Sequence, residues 1–223
     1  MDIELKPFQQ ALGLVADPDE TTLHRGTGPG GVEVIAILTS IGMGPARAAA
    51  ERMLAVGVDH VMVSGIAGAV HGTTPIGSVI APAIVEDRAA GLHFTPSGVA
   101  PDAQGILTCG DDLITDVAVL GALGDRGVIA LDMETAAVAA VCVAAGVPWS
   151  VHRSISDHAG GGLLDDAVLA LAGPTGWSDA PVGPDDIADP ELRARLEQLT
   201  RDSLRACSAA ADDAIATMAR LVG

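Results

Sequence analysis

Three acidic residues stand where their carboxylates could act on a sugar or on a leaving group. Asp132 and Glu134, in "ALDMETAA", lie two residues apart at the start of a helix-like stretch, and Asp157, in "SISDHAGG", follows an apolar strand. A carboxylate can bind two vicinal hydroxyls or stabilise positive charge on a sugar ring, and a buried carboxyl can act as a general acid or base. Each could equally be a helix cap or a turn residue, because acidic side chains favour those positions. Taken singly, the residues leave both interpretations open.

Two glycine-rich stretches could bring backbone N–H groups close to a ligand. "SGIAGAV" at 64–70 predicts a turn after a strand, and "TSIGMGPARAAA" at 39–50 predicts a strand, a glycine turn and a helix N-terminus. The first stretch has no Lys after its glycines, so it is not a P-loop. We assign three of its residues to substrate binding: Ile66, Ala67 and Gly68.

The elements that must position these residues alternate between strand and helix. Strand-like segments cover 31–42, 60–70, 77–87, 105–114 and 148–157, and 128–146 reads as a short strand that becomes a helix. Helical spacing covers 44–57 and a long C-terminal stretch that starts at Asp189 and Pro190. This alternation predicts an α/β fold, a three-layer αβα arrangement with a central mixed sheet flanked by helices. We expect a single domain over 1–223, with loops at 88–104 and 173–190, the latter an insertion.

Composition excludes several classes of partner. The net charge of −17 and a pI of about 4.4 disfavour nucleic-acid binding, because an acidic surface repels phosphates. The three cysteines lack CxxC spacing, so we expect no metal site and no cofactor, and we read Cys109 and Cys142 as small buried residues. No apolar run approaches the roughly 20 residues that span a bilayer. We therefore expect a cytoplasmic protein that does not bind membranes.

The motifs become specific when they are taken in order. "TSIGMGPARAA", "SGIAGAV", "TCGDDLI", "ALDMETAAVAAVC" and "RSISDHA" together resemble the purine-nucleoside and uridine phosphorylase superfamily. Within it, the chain is most similar to the methylthioadenosine/S-adenosylhomocysteine nucleosidases, over roughly residues 1–170 and the final helix. The resemblance implies hydrolysis of the N-glycosidic bond of a purine nucleoside, a 5′-modified one such as methylthioadenosine, S-adenosylhomocysteine or a futalosine-like compound. It also implies a homodimer.

The resemblance assigns a role to each residue that matches a motif. Asp157 would protonate purine N7 so that the base leaves neutral, and Ser156 would orient that carboxyl. Glu134 would bind the ribose 2′ and 3′ hydroxyls, and Met133 would lie against the ribose. Glu4, in "MDIELKPF", would activate the attacking water. Asp132 keeps its interpretation as a helix cap.

Other positions depart from the family pattern. Leu113 stands where the nucleosidases carry an aromatic residue on the base, beside Ile114, which would line the base pocket. The resemblance leads us to expect an apolar strand just before the segment equivalent to "MDIE", whereas the chain begins inside that motif, so either its start is misassigned or the protein lacks that strand. No Arg adjoins the glycine turn, and we predict that Arg47, Arg88 and Arg153 are surface or strand-end residues, which favours water over phosphate as the nucleophile.

Four alternatives stay open at this point. The chain could be a phosphate-dependent nucleoside phosphorylase, or a nucleoside-binding protein without catalysis. The 173–190 loop could be a solvated loop, or a lid that supplies Trp177 as the missing aromatic. We interpret His158 as a turn residue rather than as a second acid or base.

Overall fold

The computed structural model describes residues 2–20, 22–98, 102–165, 168, 171 and 187–222. Its helices of more than one turn are α1 (Asp2–Leu12), α2 (Met43–Val56), α3 (Val117–Asp125), α4 (Thr135–Ala145) and α5 (Pro190–Leu221). Its strands are β1 (Val15–Ala16), β2 (Leu23–Thr27), β3 (Glu33–Ile37), β4 (Val61–Ala69), β5 (Val79–Ile80), β6 (Ile84–Asp87), β7 (Leu92–Phe94), β8 (Ile106–Cys109), β9 (Val128–Asp132) and β10 (Trp149–His158).

The main sheet has seven strands in the order β5-β10-β4-β9-β8-β6-β7. β10 runs parallel to β4, and β8 runs parallel to both β6 and β9, whereas β4 with β9, β5 with β10 and β6 with β7 are antiparallel. The predicted mixed sheet is therefore confirmed. β1, β2 and β3 form a second, antiparallel sheet, so the strand predicted over 31–42 forms outside the main sheet.

Small side chains bring the helices close to the sheet. In α4, three alanines are fully buried and the helix packs between the sheet and α2. On β10, Trp149, Val151 and Ile155 belong to that core, whereas His152 points the other way and reaches Asp213 of α5. Helices thus cover both faces of the sheet, as the alternating pattern predicted. The buried alanines are Ala136, Ala137 and Ala139 in α4, and Ala206, Ala210, Ala211 and Ala214 in α5.

Several local predictions are confirmed and several are wrong. α2 ends at Gly57, which adopts the left-handed conformation, and Asp189 caps α5 by accepting hydrogen bonds from two backbone N–H groups. The segment 88–104 was predicted as loop but contains β7, and 77–87 forms two strands rather than one. The sequence pattern predicted neither α1 nor α3. Most of the 173–190 segment, including Trp177, lies outside the described residues.

No helix in the described ranges is both long and apolar enough to span a membrane. The three cysteines are free and buried, and the interpretation of Cys109 and Cys142 as small core residues is confirmed.

Candidate active site

A cavity of about 310 Å³ lies beside the parallel pair formed by β4 and β10. Nine of the ten residues that the sequence assigned to a site line it: Glu4, Ile66, Gly68, Leu113, Ile114, Met133, Glu134, Ser156 and Asp157. Ala67 is the exception. Side chains alternate along a strand, so Ala67 points to the opposite face from Ile66 and is buried in the main core.

The stretch predicted as a glycine-rich turn is not a turn. β4 continues through "SGIAGA" to Ala69 and stays paired with β10. Its glycines are needed because side chains crowd the strand. A Cβ on Gly68 would lie 3.3 Å from Asp157 Oδ2, and one on Gly65, whose φ is +152°, would overlap the carboxylate of Glu4.

Asp157 stands at the end of β10, next to an irregularity in the strand pairing. The register with β4 shifts between Ile155 and Asp157, which indicates a bulge at Ser156. The Ser156 hydroxyl donates a 2.7 Å hydrogen bond to Asp157 Oδ1. Burial raises the pKa of Asp157, and this outweighs the opposing effect of the hydrogen bond. The carboxyl therefore holds its proton to a higher pH than an exposed aspartate does.

Arg153 is the charged residue that the sequence analysis placed wrongly. It is only 4% exposed, in the middle of β10, rather than at the surface or at a strand end. Its Nε lies 2.9 Å from Asp132 Oδ2, and its Nη2 donates to Glu134 Oε2 at 3.0 Å. Burial on its own would lower the pKa of Arg153. The nearby carboxylates of Asp132, Glu134 and Glu4 have the opposite and larger effect, so the pKa of Arg153 is raised.

Glu134 is held from two sides. Its Oε1 accepts a hydrogen bond from the backbone N–H of Gly42, just before α2, and its Oε2 accepts from Arg153. Burial raises the pKa of Glu134, although Arg153 opposes this effect. Asp132 ends β9 and is not the N-cap of α4, which is Glu134; its carboxylate nevertheless accepts from the backbone N–H groups of Glu134 and Thr135 at the start of that helix, and it also pairs with Arg153.

Glu4 lies on α1 and reaches the middle of β4. Its Oε1 accepts a 3.2 Å hydrogen bond from the backbone N–H of Ile66 and lies 3.9 Å from Arg153 Nη1. A helix therefore holds Glu4 against this strand. Arg153 connects Glu4 with Glu134, residues that lie far apart in the sequence.

The remaining predicted residues form other parts of the wall. Met133 lies between β9 and α4, while Leu113 and Ile114 follow β8. His158 ends β10, where a ring nitrogen lies 2.7 Å from the backbone oxygen of Thr74. In the described residues, no cluster of three His, Cys, Asp or Glu side chains could hold a metal ion.

The arginines give the cavity little free positive charge. Arg47 is exposed on α2, and Arg88, which lines the cavity, donates to Asp112 at 3.2 Å. The guanidinium of Arg153 already contacts carboxylates and the backbone oxygen of Ile66.

Comparison with known proteins agrees with the motif resemblance. Residues 88–173, which contain both "DMET" and "SISD", match the family model described as the phosphorylase superfamily. This match confirms the resemblance predicted from the sequence. No curated protein matches the chain.

Solved structures share the fold over almost the whole chain. A nucleosidase of S. pneumoniae that acts on 5′-methylthioadenosine and S-adenosylhomocysteine is 20% identical, with 99% of this chain and 96% of that chain covered and a TM-score of 0.71. A Helicobacter pylori variant of that class of nucleosidase, holding 5′-methylthioadenosine, is 21% identical, with coverages of 98% and 95% and a TM-score of 0.69. Futalosine hydrolase of Helicobacter pylori is 19% identical, with coverages of 98% and 94% and a TM-score of 0.68.

Proposed function

We propose that the protein is a nucleosidase, an enzyme that hydrolyses the N-glycosidic bond of a purine nucleoside modified at its 5′ position. The observation that carries the proposal is the position of Asp157, a buried carboxyl with a raised pKa, in the same cavity as Glu4 and Glu134. Similar structures include enzymes named for methylthioadenosine, S-adenosylhomocysteine and futalosine, so these compounds are the candidate substrates.

In the proposed reaction, Asp157 gives its proton to purine N7 as the C1′–N9 bond breaks. The bond's electron pair leaves with the base, and positive charge grows on the ribosyl ring, as in other glycoside hydrolyses. Glu134 binds the 2′ and 3′ hydroxyls and stabilises this charge. Water attacks C1′, and Glu4 takes its proton. The products are the free base and ribose, or its 5′-modified form.

Four other residues would position the substrate. Met133 would pack against the ribose, and Leu113 and Ile114 would pack against the base with apolar rather than aromatic contacts. Ser156 would orient Asp157 through the hydrogen bond described above. Arg153 would fix Glu4 and Glu134 relative to each other, a role supported by its contacts with both carboxylates.

Water is the proposed nucleophile because the cavity is rich in carboxylates and its buried arginine, Arg153, is surrounded by them. Glu4, Asp132 and Glu134 surround a single guanidinium, so the cluster carries more negative than positive charge when it is ionised. Such a cluster repels phosphate and leaves a carboxylate to activate water.

We further propose that the chain acts as a cytoplasmic homodimer with one domain over 1–223. Free, buried cysteines support a reducing compartment. Exposed apolar side chains on α3, with Val117 at 75% and Val119 at 46%, support an interface with a second copy.

The test is release of free base from methylthioadenosine, S-adenosylhomocysteine, futalosine, adenosine and inosine, with and without phosphate. Wild type is compared with Asp157→Asn, and Asp59→Asn serves as the control because Asp59 is an exposed carboxylate. We expect release without phosphate that falls about 100- to 10,000-fold in Asp157→Asn and persists in the control.

Two results would contradict this function. Release only in the presence of phosphate would identify a nucleoside phosphorylase. Tight binding of adenine or a nucleoside, with no release from any of the five compounds, would identify a nucleoside-binding protein.

A further inference from the structure

Four polar side chains form a hydrogen-bonded network near the start of β4 and β10, which we call the Ser150 network. Ser150 Oγ lies 2.9 Å from Nε2 of His152 and also 2.9 Å from Nε2 of His60. On its other side, His152 Nδ1 lies 2.6 Å from Oδ2 of Asp213, which α5 supplies. None of these four described residues lines the candidate active-site cavity, so the proposed nucleosidase reaction does not use the network.

The position of the network follows from the strand pattern of β10. Ser150 and His152 lie two residues apart, so their side chains leave the strand on the same face. Val151 between them belongs to the main core on the opposite face, whereas the face of His152 meets α5 at Asp213. Along β10 the strand pairing is parallel to β4, which begins directly after His60.

The network is partly open to solvent. His152 is only 3% exposed, but Ser150 and His60 are half-buried and the side chain of Asp213 is 35% exposed. Burial lowers the pKa of His152, and Asp213 opposes this effect without reversing it. The imidazole of His152 is therefore neutral at neutral pH, as a group that accepts a proton must be.

The partners fix the direction of each hydrogen bond. A carboxylate only accepts, so we assign the proton of His152 to Nδ1, which donates to Asp213. The Nε2 of a neutral His152 is then an acceptor and receives the hydroxyl hydrogen of Ser150. His60 Nε2 donates to the Ser150 oxygen in turn. The hydroxyl thus points its hydrogen at a buried base and receives a donor on its oxygen.

This arrangement is the one that activates a serine hydroxyl as a nucleophile. Such activation needs a neutral imidazole within hydrogen-bond reach of the hydroxyl and a carboxylate that orients the imidazole and stabilises its protonated form. His152 and Asp213 meet both requirements, at 2.9 and 2.6 Å. The N–H of His60 stabilises negative charge that develops on the Ser150 oxygen as its proton leaves.

We propose that Ser150 is a second nucleophile of the protein, separate from the nucleosidase site, which hydrolyses small activated esters. Oγ of Ser150 attacks the ester carbonyl carbon, and its proton moves to Nε2 of His152. The bond from the carbonyl carbon to the alcohol oxygen breaks, and His152 returns the proton to that oxygen. Water then attacks the acyl-serine, which releases the carboxylic acid and restores the hydroxyl. The ester must be small because Ser150 is only partly exposed.

The test uses p-nitrophenyl acetate with the full chain. Release of p-nitrophenol is followed in wild type, Ser150→Ala, His152→Asn and the control Ser208→Ala. Ser208 is an exposed serine of α5 that donates to the backbone oxygen of Leu204 instead of to an imidazole. We expect release to fall about 100-fold in the first two variants, the usual effect of losing a nucleophile or its base, and to stay constant in Ser208→Ala.

Two measurements on unmutated protein separate this chemistry from a purely structural role. After an acid quench, mass spectrometry of wild type should find an acetyl group on the peptide that contains Ser150. Release should also fall on acidification, with a midpoint below about 6.5, the ordinary pKa of a histidine, because burial lowers the pKa of His152. The other titratable or charged groups that influence this base are His60 beside β4, and Asp213 and Arg220 on α5.

Two results would overturn the proposal. Wild type that carries no acetyl group on Ser150 would show that the hydroxyl is not a nucleophile, whatever the variants do. Release that persists in Ser150→Ala would assign the reaction to the imidazoles alone. Neither result bears on the proposed nucleosidase, because no nucleoside takes part in the test.

Discussion

Asp157 has the two properties that a general acid needs at neutral pH. The residue is 7% exposed, and burial raises the pKa of its carboxyl, so that the proton is still present at a pH where an exposed aspartate would have lost it. It also lines the cavity and accepts a hydrogen bond from Ser156, which fixes its orientation. The same burial has a cost for stability, because ionising the carboxyl in the folded protein is unfavourable.

Replacing Asp157 by Asn should therefore separate activity from stability. The pKa of Asp157 is higher in the folded protein than in the unfolded chain, so its protonated carboxyl contributes fully to stability at any pH below the pKa of the unfolded state. This contribution is lost as the pH rises through the pKa of the folded state. A pH of 7.5 is about three units above the ordinary pKa of an aspartate. At this pH an asparagine avoids the loss of stability, because its side chain does not ionise. We expect a variant with a higher Tm than wild type at that pH and with activity lowered about 100- to 10,000-fold.

The dependence of kcat/KM on pH in wild type tests the same assignment of Asp157. kcat/KM should fall as pH rises through the raised pKa of Asp157, because the acid must be protonated to act. A Tm below that of wild type in Asp157→Asn, or a profile whose alkaline limb persists in that variant, would contradict the assignment.

The motif residues could be predicted from the sequence, whereas Arg153 could not. "DMET" and "SISD" are short, ordered signals that identify Glu134 and Asp157 directly. Arg153 is part of "RSISD", but its burial depends on Glu4, Asp132 and Glu134, which lie 19 to 149 positions away along the chain. Arginines are usually exposed unless they are paired, so single-residue statistics pointed to the wrong place.

At the level of secondary structure, β4 and β10 form the wall of the candidate site that carries most of its polar groups. Side chains of Glu4, Arg153 and Asp157 lie close to the backbone of β4, which explains the glycines in that strand. Gly65 lies where Glu4 and Arg153 meet the strand, and its φ of +152° is one that residues with side chains rarely adopt. The sequence signal, several glycines after an apolar run, is the same for a turn and for a crowded strand. This ambiguity is the reason why the predicted turn was wrong.

Gly65→Ala should damage the site through this strand. The added methyl group would displace the Glu4 carboxylate and the Arg153 guanidinium, and it would strain the backbone by about 1–3 kcal/mol. We expect kcat/KM to fall by about 100-fold or more, since small displacements of catalytic groups have effects of that size. Steady-state kinetics and thermal unfolding measure the two effects.

Gly121→Ala provides the control for that substitution. Gly121 is exposed on α3, has no atom within 4 Å of its would-be Cβ and has no positive φ. Alanine is the better helix former, so this variant should be slightly more stable, with unchanged kinetics. Normal activity in Gly65→Ala would show that Glu4 does not need its place against β4.

At the scale of the whole molecule, the chain's two ends meet at the cavity. α1 supplies Glu4 and α5 supplies Leu199 and Ser203 to its lining, while β10 supplies Asp157 and the junction between β9 and α4 supplies Glu134. The alternation of strands and helices was enough to predict the layered fold. The same periodicity gave no sign that the first and last helices would line one site, because contacts between the two ends of a chain leave no local pattern.

The charge of the molecule bears on which nucleophile it uses. The chain carries a net charge of −17, and the carboxylates of the candidate site occupy its buried guanidinium. Both features oppose the entry of phosphate and neither opposes water. These two features therefore favour hydrolysis over phosphorolysis in the proposed function.

Cleavage of methylthioadenosine in water enriched in heavy oxygen, with phosphate also present, tests that claim most directly. Mass spectrometry of the released sugar shows which nucleophile attacked C1′. We predict a free sugar that carries one heavy oxygen, no sugar 1-phosphate, and release from Asp157→Asn that is about 100- to 10,000-fold slower. A sugar 1-phosphate as the product would contradict it and identify a phosphorylase.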